Sequence, residues 1–155
     1  DEAELCEKAE MVAGKTRDIS EFLASIEINK EFGEVKARAT YHDACHLAHA
    51  QKVVSQPRQL LGQIPGLELV PLNEADMCCG SAGPYNLVQP EMAARLQRRK
   101  IRNIKETGAE MVISGNPGCN IQIESGLKAE GLGHVEVAHT VDVLDRSYRA
   151  ARNGG

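Results

Sequence analysis

The sequence predicts a layered α/β domain built on a parallel sheet. Three observations carry that reading. Short strand-like runs alternate with longer helical ones from residue 37 onward. Helical stretches of about ten residues or more separate successive strands, as parallel pairing and its crossovers require. Proline and glycine punctuate helix ends, with Pro90 in a first turn and Gly108 at a C-terminal cap.

Residues 1 to 28 place Leu5, Val12, Ile19, Phe22, Leu23 and Ile26 at mostly helical spacing, with Asp18 and Ser20 marking a second start. A break follows at 29 to 36. ARATYH (37 to 42) is the first predicted strand, 47 to 64 a helical crossover interrupted near Pro57, and LELVPL (67 to 72) the second strand. After a turn-rich loop, Pro90 opens a long helix closed by Gly108. MVISG (111 to 115), a helix over 117 to 129, HVEVA (134 to 138) and a final helix over 141 to 151 complete the pattern. The expected fold is therefore about four mostly parallel strands with helical crossovers, a Rossmann-like layered sheet preceded by an N-terminal helix. We divide it into a helical segment over 1–36 and a cysteine-bearing α/β domain over 37–155, together one compact unit. The start at Asp1, in mid-pattern, points to a fragment of a longer polypeptide.

A net charge of −4, no Trp, three Tyr and two Phe argue against nucleic acid, which asks for a basic surplus or stacking aromatics. No long apolar run marks a membrane span, and DEAELCEKAE lacks the basic flank and apolar core of a signal peptide. A cytoplasmic protein is expected.

Cysteines stand at 6, 45, 78, 79 and 119. An odd number without a signal peptide disfavours a disulfide framework, leaving metal binding, catalysis or burial. Cys6, alone on the first helix, is expected to pack. Cys45 follows the first predicted strand, Cys78 and Cys79 the second, and Cys119 the third. In a parallel sheet those positions share the carboxyl edge, where open α/β folds bind ligands. Four thiols so gathered suit an iron–sulfur cluster or zinc. Gly80 and Gly83 would let the backbone approach a metal centre and offer it amide hydrogens. A Cys78-Cys79 thiol catalyst is a third reading, since helix N-termini depress thiol pKa values.

His42 and His46 flank Cys45, His49 follows one turn later, and His139 lies at the same edge. A histidine there could ligate metal or tune a cluster, with His46 ahead of His139 for that role, although a histidine is more often a cap or a surface residue. His134 reads as structural. Asp43 is expected to cap the following helix, as are Asn116 and Pro117 before Cys119. The arginines of RRKIRNIK read as a solvated face opposite Ala93, Leu96, Ile101 and Ile104. GSAG lacks the spacing of a phosphate loop.

YHDACHL, CCGSAG and NPGC, in this order, resemble the cysteine-rich CCG domain of heterodisulfide reductases, lactate-utilisation proteins and glycolate oxidase iron–sulfur subunits. RQLLGQIPGLELVPLNEADMCCGSAGPYNLVQPEMA and GNPGCNIQI are most similar to the C-terminal domain of the last group. The resemblance implies that Cys45, Cys78, Cys79 and Cys119 are metal ligands, while Asn116 stands where the family has a further Cys. It implies a [4Fe-4S] cluster, with zinc or no metal as alternatives. It also implies electron transfer beside flavoprotein subunits that oxidise glycolate. The longer polypeptide would add a ferredoxin-like domain and a first CCG repeat. Its place would be cytoplasmic, or docked on the inner face of the membrane through the complex. The rival reading is a structural or assembly domain whose redox chemistry lies elsewhere in the longer polypeptide.

Overall fold

The computed structural model describes residues 1–153. Strands β1 (Ala37–His42), β2 (Leu67–Val70), β3 (Met111–Ser114) and β4 (Glu136–His139) form one all-parallel sheet in the order β2-β1-β3-β4. The chain passes from β1 to β2 on one side, then crosses to β3 on the other side of β1. That reversal leaves a crevice beyond the carboxyl ends of β1 and β3, the usual ligand position of open α/β sheets. His42 and Ser114, paired in register, end the two strands there.

Helices cover both faces. Helices α5 (Pro90–Thr107) and α6 (Pro117–Ala129) bury Ile101, Ile104, Ile123 and Leu127 with Val112 on one side. On the other, α3 (Ser55–Leu61) and α7 (Thr140–Asn153) bury Leu60, Leu61, Val143 and Leu144 against Ala39, Tyr41 and Ile113. The alternation of β1 explains the division. Ala39 and Tyr41 face α3 and α7, and the opposite parity of Thr40 and His42 turns those side chains toward the face of α5 and α6.

The N-terminal region is two helices, α1 (Glu2–Lys15) and α2 (Ile19–Ser25), and Asp18 caps the second by accepting from the Ser20 amide at 2.8 Å. No residue of α1 is buried, so Cys6 is exposed rather than packed. The stretch before β1 is fastened to α7. Gly33 N–H donates to the Ser147 carbonyl at 3.0 Å, Ser147 Oγ donates to the Gly33 carbonyl at 2.7 Å, and Phe32 packs on Tyr148 with ring centroids 5.0 Å apart.

Several boundaries differ from expectation. The crossover after β1 breaks at Lys52 to Val54, not at Pro57. A π-helical turn, His46–Gln51, ends at left-handed Lys52, and Pro57 sits in the first turn of α3, where it needs no amide partner. A one-turn helix, α4 (Tyr85–Val88), precedes α5. His139 closes β4 rather than following it, and exposed His134 precedes that strand.

The α7 contact is tight enough to test. A Cβ on Gly33 would lie 2.2 Å from Ala151 N, whereas one on Gly14 in α1 meets nothing within 4 Å. Gly33→Ala is expected to cost about 1–3 kcal/mol in urea unfolding. Gly14→Ala should leave the midpoint unchanged, because α1 adds no burial to the cooperative unit.

Candidate metal centre

The carboxyl edge of β1 supplies the first donor. His42 is fully buried, and its Nδ1 lies 3.1 Å from the Ala75 carbonyl oxygen. A carbonyl only accepts, so Nδ1 donates to Ala75 and Nε2 is the nitrogen turned toward the thiols. Nε2 is buried without a hydrogen-bond partner. A ring nitrogen of His42 and the sulfurs of Cys79 and Cys119 lie within 4.8 Å of one another, all three residues buried. With Nδ1 engaged by Ala75, Nε2 is the nitrogen free to face a metal.

Cys119 stands in the first turn of α6 because Asn116 caps that helix. Asn116 Oδ1 accepts from the Cys119 amide at 3.1 Å, and Pro117 opens the first turn. The positive end of the helix therefore faces the thiol.

Cys79 is carried by the loop after β2, which α5 clamps. Arg99 binds the Glu74 carboxylate through both Nε and Nη2. Asn103 Nδ2 donates to the Asn73 carbonyl at 3.0 Å and to Glu74 Oε2 at 2.9 Å. Buried Lys100 donates to the carbonyls of Glu74 and Ala75. The loop then passes so close to α5 that a Cβ on Gly80 (φ +96°) would lie 2.5 Å from the Ala93 carbonyl oxygen. Only glycine fits there. Gly80 N–H points at Cys78 Sγ, 3.3 Å away. Gly83 is also left-handed but faces open space.

Cys45 and Cys78 are half-buried at the rim. Burial pushes the Cys78 thiol up, and negative charge on Cys79 or Cys45 adds to that. The Cys119 thiol, donating to Cys79, is the main cause that holds Cys79 well below the ordinary thiol range, and the same bond drives Cys119 upward. Charge on Cys45 or Cys78 also opposes ionisation of Cys119. Of the four expected cysteines, Cys79 and Cys119 join His42 in the buried trio, and Cys45 and Cys78 lie outside it. The buried trio, two thiols and an imidazole nitrogen, fits a soft-ligand metal.

His46 and Asp43 have different surroundings from His42. His46 is exposed, its Nδ1 lying 3.2 Å from Asn116 Nδ2, outside the buried trio. His49 is exposed as well, and His139 Nδ1 accepts from the Val141 amide. Asp43 caps no helix. It is buried and takes a two-pronged bond from Arg58, at 2.6 and 2.8 Å, fixing the β1 end to α3. The basic run keeps its solvated face in Arg95, Arg98 and Arg102, and Arg99, though exposed, is tied to Glu74. Lys100, in the middle of that run, is buried.

The depressed Cys79 thiol has a measurable consequence. Its folded pKa lies below the unfolded one, so the thiolate contributes stability at and above the ordinary thiol range, and that contribution falls as pH drops toward the folded value. Reduced, metal-free protein is expected to show thiolate absorbance near 240 nm at neutral pH, bleached on acidification and absent in Cys79→Ser.

Residues 39–124 match the sequence family described as CCG, cysteine-rich domain. One component of a fumarate reductase (CoM/CoB) from Methanothermobacter marburgensis is 40% identical over 131 residues, 84% of this chain and 27% of the relative. A probable glycolate oxidase iron–sulfur subunit of Bacillus subtilis is 37% identical over 147 residues, 93% of this chain and 33% of the relative. Lactate utilization protein A of Shouchella clausii is 32% identical over 146 residues, 94% of this chain and 61% of the relative. The chain spans between about a quarter and three fifths of the length of these relatives. With a match over more than half of its residues, and with its cysteines at three strand ends, the chain belongs to the cysteine-rich CCG domain family.

Proposed function

We propose that this chain is an iron–sulfur electron-transfer domain of a glycolate oxidase-like complex, with Cys45, Cys78, Cys79 and Cys119 holding a [4Fe-4S] cluster. The observation that supports this reading is the buried cluster of His42, Cys79 and Cys119, whose ligand atoms lie within 4.8 Å of one another at the carboxyl edge, with Cys45 and Cys78 on the adjoining loops. The relatives' names, among them an iron–sulfur subunit, support it. The cluster, when bound, supplies one-electron storage at a potential set by hydrogen bonds and charge around its sulfurs.

The protein's own residues do the rest. The amide of Gly80, aimed at Cys78, stabilises negative charge on sulfur. Residues 37–155 form the CCG unit in this reading, with 1–36 leading into it. His46 lines the rim beside Cys45 and Asn116. Electrons arrive from a flavoprotein partner, and the longer polypeptide supplies further centres. No described helix is long and apolar enough to cross a membrane.

One observation favours a second reading. His42, Cys79 and Cys119 lie within 4.8 Å of one another, a cluster of the size a single tetrahedral zinc takes, with one rim thiol as fourth ligand. That site would be structural.

Iron, zinc and acid-labile sulfide per chain, measured on protein purified anaerobically, separate the two. About four irons and four sulfides, lost in Cys79→Ser but kept in Cys6→Ser, is the expected result. About one zinc without sulfide would replace the cluster by the structural site.

A further inference from the structure

Lys100 is a buried lysine without a carboxylate of its own. Its residue is 0% exposed, and Nζ donates to two backbone carbonyls, those of Glu74 and Ala75. It forms no ion pair among the described residues, although buried charges are ordinarily paired. The nearby acids are already engaged or wet: Asp43 is bound by Arg58, Glu74 by Arg99, and Asp76 is exposed. Burial works against the ammonium form. The Ala75 carbonyl that takes Lys100 Nζ at 3.2 Å also takes His42 Nδ1 at 3.1 Å, which sets the ammonium one carbonyl away from the imidazole that lies within 4.8 Å of the Cys79 and Cys119 sulfurs. Among the anionic groups that favour the ammonium, Cys79 comes first.

A lysine used only to staple the loop would be an odd choice, since an amide side chain donates to carbonyls without burying a charge. We propose that Lys100 is the fixed countercharge of the cysteine centre, a positioning residue whose ammonium offsets the net negative charge that the thiolates bring when metal binds. This rests on the metal-binding reading above, whichever metal is native. Each thiol that becomes a ligand loses a proton. A divalent ion leaves one net negative charge on three thiolates and two on four, so a buried cation beside the centre opposes its charge in either case. A [4Fe-4S] cluster with four thiolates is net negative too. A buried cation at this distance from water acts through a low dielectric and is little screened by salt.

The charge and the staple can be separated. Lys100→Gln keeps donors for the carbonyls and removes the charge, while Lys100→Arg keeps both. Lys100→Met serves as a second neutral variant, and circular dichroism confirms the fold of each. Zinc is the probe metal, its affinity read by chelator competition at fixed pH. Protein reconstituted with iron and sulfide is also titrated potentiometrically. Lys100→Gln is expected to bind zinc about tenfold more weakly and Lys100→Arg near wild type. The reconstituted cluster in Lys100→Gln should be about tenfold harder to reduce at a given ambient potential, a shift of about 59 mV downward for one electron. A folded Lys100→Gln or Lys100→Met protein with wild-type zinc affinity and potential would overturn the countercharge. Wild-type protein that takes up neither zinc nor iron would overturn the metal-binding reading itself, and the countercharge with it.

Discussion

The Ala75 carbonyl oxygen is where the centre is tied together. It faces three donors from two other elements: His42 Nδ1 at 3.1 Å, the Asp43 amide at 3.0 Å and Lys100 Nζ at 3.2 Å. A carbonyl has two lone pairs, so three donors share it and none moves without disturbing the others. Through that atom the end of β1, the loop before the paired cysteines and the middle of α5 are held in one register. The His42 tautomer follows, and with it the unpartnered Nε2 beside the two buried sulfurs. Gly80 completes the constraint, because the next turn of the loop runs against the Ala93 carbonyl with no room for a side chain.

Much of the framework is legible in the sequence because periodicity carries it. Strand β1 spans 37 to 42 and α5 runs between Pro90 and Gly108, as expected, since short β-rich runs and proline-to-glycine helix punctuation are local signals. From parallel pairing alone, the cysteines fall on the carboxyl edge. The π-helical turn after Cys45 is not legible, since its wide hydrogen bonding depends on packing Leu47 and Ala48 into the core. Asp43 looks like a cap in the sequence, where nothing signals Arg58, fifteen residues on.

His42 and Lys100 escape a reading of the sequence for a shared reason. A lysine among arginines on an amphipathic helix reads as solvated, and only the arrival of the 73–76 loop over α5 puts Lys100 inside. The sequence does hold one usable signal for His42. It is the last residue of a strand central to the sheet, and two-residue alternation gives it the parity opposite to Ala39 and Tyr41. Cys45, by contrast, draws attention to exposed His46 beside it.

Asn116 stands where the resemblance implies a further cysteine; here its side chain accepts from the Cys119 amide and approaches His46 with its other end. A thiol is a poor cap, whereas the Asn oxygen fixes the first turn of α6 and so the position of Cys119. His42 then stands beside the two buried thiols as a nitrogen donor that brings no negative charge of its own to the proposed centre. In the proposed centre, four cysteines, one histidine and one lysine therefore form a set in which ligand count, charge and hydrogen bonding are linked through the loop that α5 clamps.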